Sequence, residues 1–201
     1  MPFGPRAIDG PVRTSVTDPI EVFWVEAAAH GTPGRLGLTF APGKHGPANA
    51  VGGAWRRDLD LDLERLREHH EVDLLVSLME PHEYETLGIP DLFQRARAFG
   101  MRVRHLPIED GCVPTAGQTT DVVKLVAEVR DALQEGRSVA VHCRGGLGRT
   151  GTIVALVVAS FGHAPGDAIG IVRETQPRAI ENARQEAYVA DALPFLAGAR
   201  S

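Results

Sequence analysis

Residues 139–158 read VAVHCRGGLGRTGTIVALVV. An apolar run ending at Cys143 and a second one following Thr150 enclose a loop with glycine at 145, 146 and 148 and arginine at 144 and 149. The first run has the length and valine content of a strand buried on both faces, and the second, extending to residue 161, has the length of a buried helix. A buried strand that feeds a buried helix through a tight loop is the repeating unit of parallel α/β sheets.

The alternation continues outward from this point. Upstream, residues 119–136 have helical periodicity and stop at Gly136, while MRVRHLPI (101–108) alternates like a strand. PDLFQRARAFG (90–100) opens on proline and closes on glycine, as helices do. VDLLVSL (72–78) reads as another buried strand, and DLDLDLERLREHH (58–70) puts Leu59, Leu63 and Leu66 on one helical face. IEVFWVE (20–26) and RLGLTFAPGKH (35–45) read as strands and HGPANAVGGAW (45–55) as a loop, while downstream 166–175 and 182–197 read as helices. The expected fold is α/β: a single domain with a central, mainly parallel (mixed) sheet flanked by helices and a strand–phosphate loop–helix unit at its centre. The first 19 residues, with four prolines, are expected to form a flexible leader, which leaves 20–201 as the folded domain.

At 201 residues the chain is long enough for one sizeable core. A net charge of -5 argues against a general nucleic-acid binder, which would show a dominant basic surface. Two cysteines, Cys112 and Cys143, are too few for a secreted disulfide scaffold and lack zinc-type spacing, so a reducing, cytoplasmic setting is expected. The N-terminal residues lack the basic-then-apolar pattern of a signal peptide, and the apolar run 152–161 is too short to span a bilayer. The adjacent His69 and His70 end a helical pattern without ligand spacing, and no metal or other cofactor is expected.

The loop has a chemistry of its own. Backbone N–H groups in a tight glycine-containing turn converge on one point, and the following helix adds unpaired N–H groups and positive dipole, so an anion is the expected occupant. Gly145, Gly146 and Gly148 are read as supplying positive φ values for this cradle. Helix N-termini and nearby cations favour a thiolate over a thiol, which makes Cys143 the candidate nucleophile. Arg149 offers a planar fork for two oxygens of a phosphoryl group. Thr150 is placed to donate its hydroxyl to the sulfur, and His142 to brace the loop through its ring.

Rival readings fail on specific residues. A nucleotide-binding loop needs a Gly-Lys pair that is absent. GLGRTG (146–151) formally matches a dinucleotide fingerprint, but the acidic residue that should end the next strand is missing and Asp167 falls where a helix begins. A phosphate-binding module without turnover and a sulfurtransferase remain as alternatives; neither needs a proton donor. The sequence offers one in LPIEDGCVP (106–114), where a strand gives way to a turn carrying Glu109 and Asp110.

HCRGGLGRTG resembles the signature loop of cysteine-dependent protein tyrosine and dual-specificity phosphatases, and LPIEDGCVP resembles their general-acid loop. RLGLTFAPGKH, LVSLMEPHEYETLGIPDLFQRARAFGMRVRHLPI and RETQPRAIENARQEAYV extend the likeness over about residues 35–195, closest to the cyclin-dependent-kinase-associated branch. The resemblance implies a metal-independent phosphomonoester hydrolase with Cys143 as nucleophile, Asp110 rather than Glu109 as acid, and Arg149 as phosphate clamp. It implies that the backbone of Arg144, Gly145, Gly146, Leu147 and Gly148 cradles the other oxygens and that Gln185 helps place the hydrolytic water. The partner it implies is a phosphorylated protein or another phosphomonoester, with no nucleic acid or membrane. Arg144, where phosphoinositide-directed relatives carry a more lysine-rich loop, disfavours a lipid substrate. Cys112 is read as a loop-packed thiol.

Overall fold

The structure, a computed structural model, describes residues 12–47 and 54–198. In chain order the elements are β1 (Phe23–Trp24), β2 (Arg35–Phe40), β3 (His45–Gly46), β4 (Trp55–Arg56), α1 (Leu59–Glu64, continued by a wider turn over Arg65–His69), β5 (Val72–Ser77), α2 (Pro81–Thr86) and α3 (Leu92–Ala98). Then follow β6 (Arg102–His105), α4 (Thr119–Gln134), β7 (Ser138–Cys143), α5 (Gly148–Ala159), α6 (Pro165–Thr175) and α7 (Ala183–Gly198).

Five strands form one sheet in the order β1-β2-β7-β5-β6, in which β2, β7, β5 and β6 run parallel and only β1 is antiparallel. The strand that ends at Cys143 is therefore central, and all six of its residues are buried. One face is covered by α4, α5, α6 and α7, whose apolar side chains pack on Leu36, Leu38, Leu74, Val76, Val139 and Val141. The other is covered by α1 and α3 through Leu63, Leu66, Leu92 and Ala96. All twelve residues of α5 are buried, as expected for a helix that is apolar all round. This α/β architecture, with its mixed, mostly parallel sheet between helices, is the expected one.

Three local differences have physical causes. The strand expected over 20–26 shrinks to Phe23–Trp24, because the Ile20 carbonyl accepts from Arg65 Nε at 2.8 Å and the Glu21 carbonyl from Thr39 Oγ1 at 2.8 Å rather than from a neighbouring strand. The segment expected as loop contributes Trp55–Arg56, which pairs with His45–Gly46; residues 48–53 lie outside the described residues. Of the flexible leader expected over 1–19, residues 1–11 also lie outside them, but residues 12–19 are docked, which corrects that expectation. The reason is Arg57, 2% exposed, whose buried donors require acceptors. Arg57 Nε and Nη2 donate to Asp62 at 2.7 Å each, and Nη1 donates to the Asp18 carbonyl at 2.6 Å. Ser15 Oγ adds a bond to the Asp58 carbonyl at 3.1 Å.

Replacing Asp62 by alanine leaves Arg57 buried and uncompensated, and is expected to lower the unfolding free energy by about 3–5 kcal/mol. Urea denaturation followed by tryptophan fluorescence checks this; a loss below about 1 kcal/mol, the range of exposed pairs, would contradict it.

Candidate active site

β7 delivers Cys143 to the C-terminal edge of the sheet, level with Phe40 of β2, and α5 begins at Gly148. Between them Gly146 takes a left-handed φ of +74° and donates its N–H to Cys143 Sγ at 3.3 Å. A Cβ at this position would lie 2.5 Å from the Thr39 carbonyl oxygen, so the loop can lie against β2 only with glycine there. The expectation that three glycines supply positive φ holds at Gly146 alone among them. Gly148 serves close approach instead, since a Cβ there would meet Glu181 Oε2 at 2.4 Å and Gln185 Nε2 at 2.8 Å.

Arg149, in the first turn of α5, is 1% exposed. Its Nη1 donates to Glu83 Oε2 at 2.6 Å and to the Ile108 carbonyl at 3.0 Å, and Nη2 donates to Glu83 Oε1 at 2.9 Å. Nη2 also lies 2.8 Å from Asp110 Oδ1, while Nε has no hydrogen-bond partner among the described residues. Burial opposes the guanidinium charge, but the Glu83 hydrogen bonds, with the charges of Cys143 and Asp110, outweigh it and raise the Arg149 pKa. Burial likewise pushes the Glu83 carboxyl up; the hydrogen bonds from Arg149 and the Glu80 backbone more than reverse this and hold it below the usual carboxylate range.

His142 is fully buried behind the cysteine, with Nδ1 3.3 Å from the Cys143 carbonyl and Nε2 unpartnered among the described residues. Burial, opposed by that carbonyl and reinforced by Arg149, lowers its pKa to about 4, so the ring is neutral near pH 7. Thr150 Oγ1 is buried and makes no hydrogen bond among the described residues, so the hydroxyl-to-sulfur bond expected for it is not formed.

Cys143, Arg144, Gly145, Leu147 and Asp110 line one hollow of about 280 Å³, joined by Lys44, Trp55 and Glu181. The residues expected as nucleophile, cradle and acid thus line one hollow, and Arg149, which does not line it, is linked to it through its contact with Asp110. Glu109 is exposed and does not line the hollow. Gln185 is fully buried: it accepts from the Glu181 backbone at 2.8 Å and donates to the Cys112 carbonyl at 3.4 Å, tying the start of α7 to the acid loop. Cys112 and Cys143 are both free thiols.

Two residues escaped the sequence reading. Glu83 sits on α2, six residues long and too short to show a helical period, although Pro81 at its start and Gly88 just beyond its end were available as signals. Lys44 lay inside a segment read as the end of a strand.

The chain is similar to known proteins. The model of a family described as "Tc-R-P: Polymorphic toxin system, DSP-PTPase phosphatase" matches residues 54–163. Cyclin-dependent kinase inhibitor 3 of Rattus norvegicus is 28% identical over 176 residues, which cover 85% of this chain and 77% of that protein. Protein tyrosine phosphatase domain-containing protein 1 of Danio rerio is 32% identical over 142 residues, 70% of this chain and 18% of that protein. The crystal structure of kinase associated phosphatase, with its catalytic-site cysteine replaced by serine, has a TM-score of 0.77 at 23% identity, covering 89% of this chain and 96% of that one; the fold is shared.

Two outcomes follow from the buried charges. Glu83→Gln leaves Arg149 without its buried counter-ion, only the exposed Asp110 remaining, and is expected to lower both stability, by about 3–5 kcal/mol, and phosphate binding, because the fork is no longer aimed; full retention of both would contradict the pairing. His142, neutral when buried, must take up a proton on unfolding below pH 6.5. Its contribution is present above that value and is lost as pH falls from 6.5 through about 4, an effect of up to about 3 kcal/mol. Urea midpoints measured across this range should fall less steeply with acid in His142→Asn than in the parent chain.

Proposed function

We propose a residue-by-residue chemistry for this chain, which belongs to the DSP-PTPase phosphatase family and is a cysteine-dependent protein phosphatase. Cys143 Sγ attacks the phosphorus of a phosphomonoester in line, so that the S–P bond forms as the P–O bond to the leaving group breaks. Asp110 gives its proton to the departing oxygen, and phosphate stays on sulfur as a phosphocysteine. A water then attacks the same phosphorus, the Asp110 carboxylate takes its proton, and inorganic phosphate and the thiolate are released.

The observation that carries this reading is the convergence on Arg149. One edge of the guanidinium is held by Glu83, Nε has no hydrogen-bond partner among the described residues, and Nη2 lies against the carboxylate of Asp110, which itself lines the hollow shared with the cysteine loop. A phosphoryl group over Cys143 would take Nε and Nη2 as its fork, with the N–H groups of the loop on its remaining oxygens. The Gly146 N–H already donates to Cys143 Sγ. Gln185, buried between Glu181 and the Cys112 carbonyl, is proposed to hold the acid loop and the water in register.

No step requires a metal, and among the described residues no group of three or more acidic, histidine or cysteine side chains is arranged to hold one. No described helix is long and apolar enough to cross a membrane. A reducing cytoplasmic compartment would suit a catalytic thiolate and is proposed as the site of action.

Asp110→Asn is expected to lower kcat for an aryl phosphate with a poor leaving group by about 10²–10⁴-fold, and by much less for one whose phenoxide leaves without protonation. Turnover should be unchanged by a chelator. A wild-type rate in Asp110→Asn on both substrates would contradict the acid role and favour sulfur transfer, whereas phosphate binding without turnover by the parent chain would favour a binding module.

A further inference from the structure

Beside the cysteine hollow lies a second one of about 330 Å³ that shares Lys44, Trp55, Gly145 and Leu147 with it. Its wall adds Arg13, Arg178 and Phe40, with Asp18 as the one carboxylate among the described residues that line it. A chain of net charge -5 thus sets three cations against one carboxylate next to its phosphate loop.

Lys44 makes this more than a surface patch. The residue is 8% exposed, and its Nζ lies 4.0 Å from the Trp55 ring and 4.3 Å from the Phe40 ring. Its single hydrogen bond among the described residues goes to the Arg144 carbonyl at 3.3 Å, with no carboxylate within ion-pair distance. An ammonium has three donors, and burying it with two unanswered is unfavourable unless an anion is at hand. Arg178 is exposed and has no ion pair among the described residues; Arg13 stacks over Trp55 at 5.0 Å and meets Asp18 only at 3.7 Å.

We propose that this second hollow is an anion subsite, built on Lys44, Arg13 and Arg178, that receives an acidic or phosphorylated side chain next to the phosphorylated residue held over Cys143. The proposal rests on the phosphatase reading of the first hollow. Two hollows that share a wall suit residues one or two apart in an extended peptide, which rises roughly 3.3 Å per residue. A recessed ammonium favours a side chain that reaches in over a flat lipid surface.

A titration signature follows. Burial, with Arg57, Arg144 and Arg13 as like charges and Cys143 as the opposing one, lowers the Lys44 pKa to about 8. Asp18 lines the second hollow with it, and Asp110 and Glu181 the first. The cation is therefore largely present at pH 7 and is lost as pH rises through about 8, and preference for a second anion should fade over the same range.

The test is binding rather than turnover. Fluorescence anisotropy of labelled phosphotyrosine peptides is measured against Cys143→Ser, with neutral, acidic or phosphoserine neighbours. Either anionic neighbour should tighten binding about tenfold at pH 7, as expected for a charge-assisted contact in a recessed site. Adding Lys44→Met should abolish the preference and Arg178→Ala should reduce it, while Lys44→Arg should retain it and extend it above pH 8. Equal affinity for all three peptides, a preference that survives Lys44→Met and Arg178→Ala, or tighter binding to anionic phospholipid vesicles than to any peptide would overturn the proposal. Aryl phosphate turnover by the unsubstituted chain is measured alongside. Turnover without peptide discrimination overturns the subsite alone, and discrimination without turnover supports the subsite while overturning the phosphatase chemistry.

Discussion

A guanidinium buried to 1% exposure holds four separate parts of this chain at one point. Arg149 belongs to α5, Glu83 to α2, the Ile108 carbonyl to the exit from β6, and Asp110 to the loop that follows. An interior arginine is tolerated only when its donors are answered, so these parts must assemble together or the charge is stranded. Nε alone of its nitrogens has no hydrogen-bond partner among the described residues, which is the donor the proposed chemistry assigns to an oxyanion.

The sheet explains why such a charge can be placed so deep. β7 is the central strand and α5 is buried along its whole length, so the loop between them is gripped on both sides. Gly146 lies against the Thr39 carbonyl and Gly148 against Glu181 and Gln185, which fixes the curvature that aims the Gly146 N–H at sulfur. Behind the loop His142 is kept neutral by burial, so it adds no competing charge. In front, Lys44 adds another buried cation, with no carboxylate at ion-pair distance among the described residues.

The fold was legible wherever the apolar period was strong. The runs that became β5, β7, α4 and α5 each announced themselves by length and pattern, and HCRGGLGRTG placed the anion site between two of them. The proposed acid was suggested by a turn carrying Glu109 and Asp110 after a strand, and Asp110 is the one that reaches Arg149. What stayed hidden depends on long-range pairing. Glu83 meets Arg149 across 66 positions, and nothing in PHEYET by itself marks it as a counter-ion. Residues 12–19 looked like a free leader because the buried Arg57 that collects the carbonyls of Thr14 and Asp18 lies 43 and 39 positions away. Thr150 shows the converse: its place in the loop led to the expectation of a bond to sulfur, but the hydroxyl is buried with no partner among the described residues.

The central claim is that Cys143 carries the phosphoryl group, with Arg149 and Asp110 on either side of the same transfer. Rapid acid quench during turnover of a phosphopeptide, followed by peptide mapping by mass spectrometry, tests it most directly. The account predicts a phosphate on the sulfur of the peptide that contains Cys143, accumulating when Asp110 is replaced by alanine and a substrate with a good leaving group is used. Steady turnover with no adduct, or a phosphate mapped to the ring of His142, would contradict it.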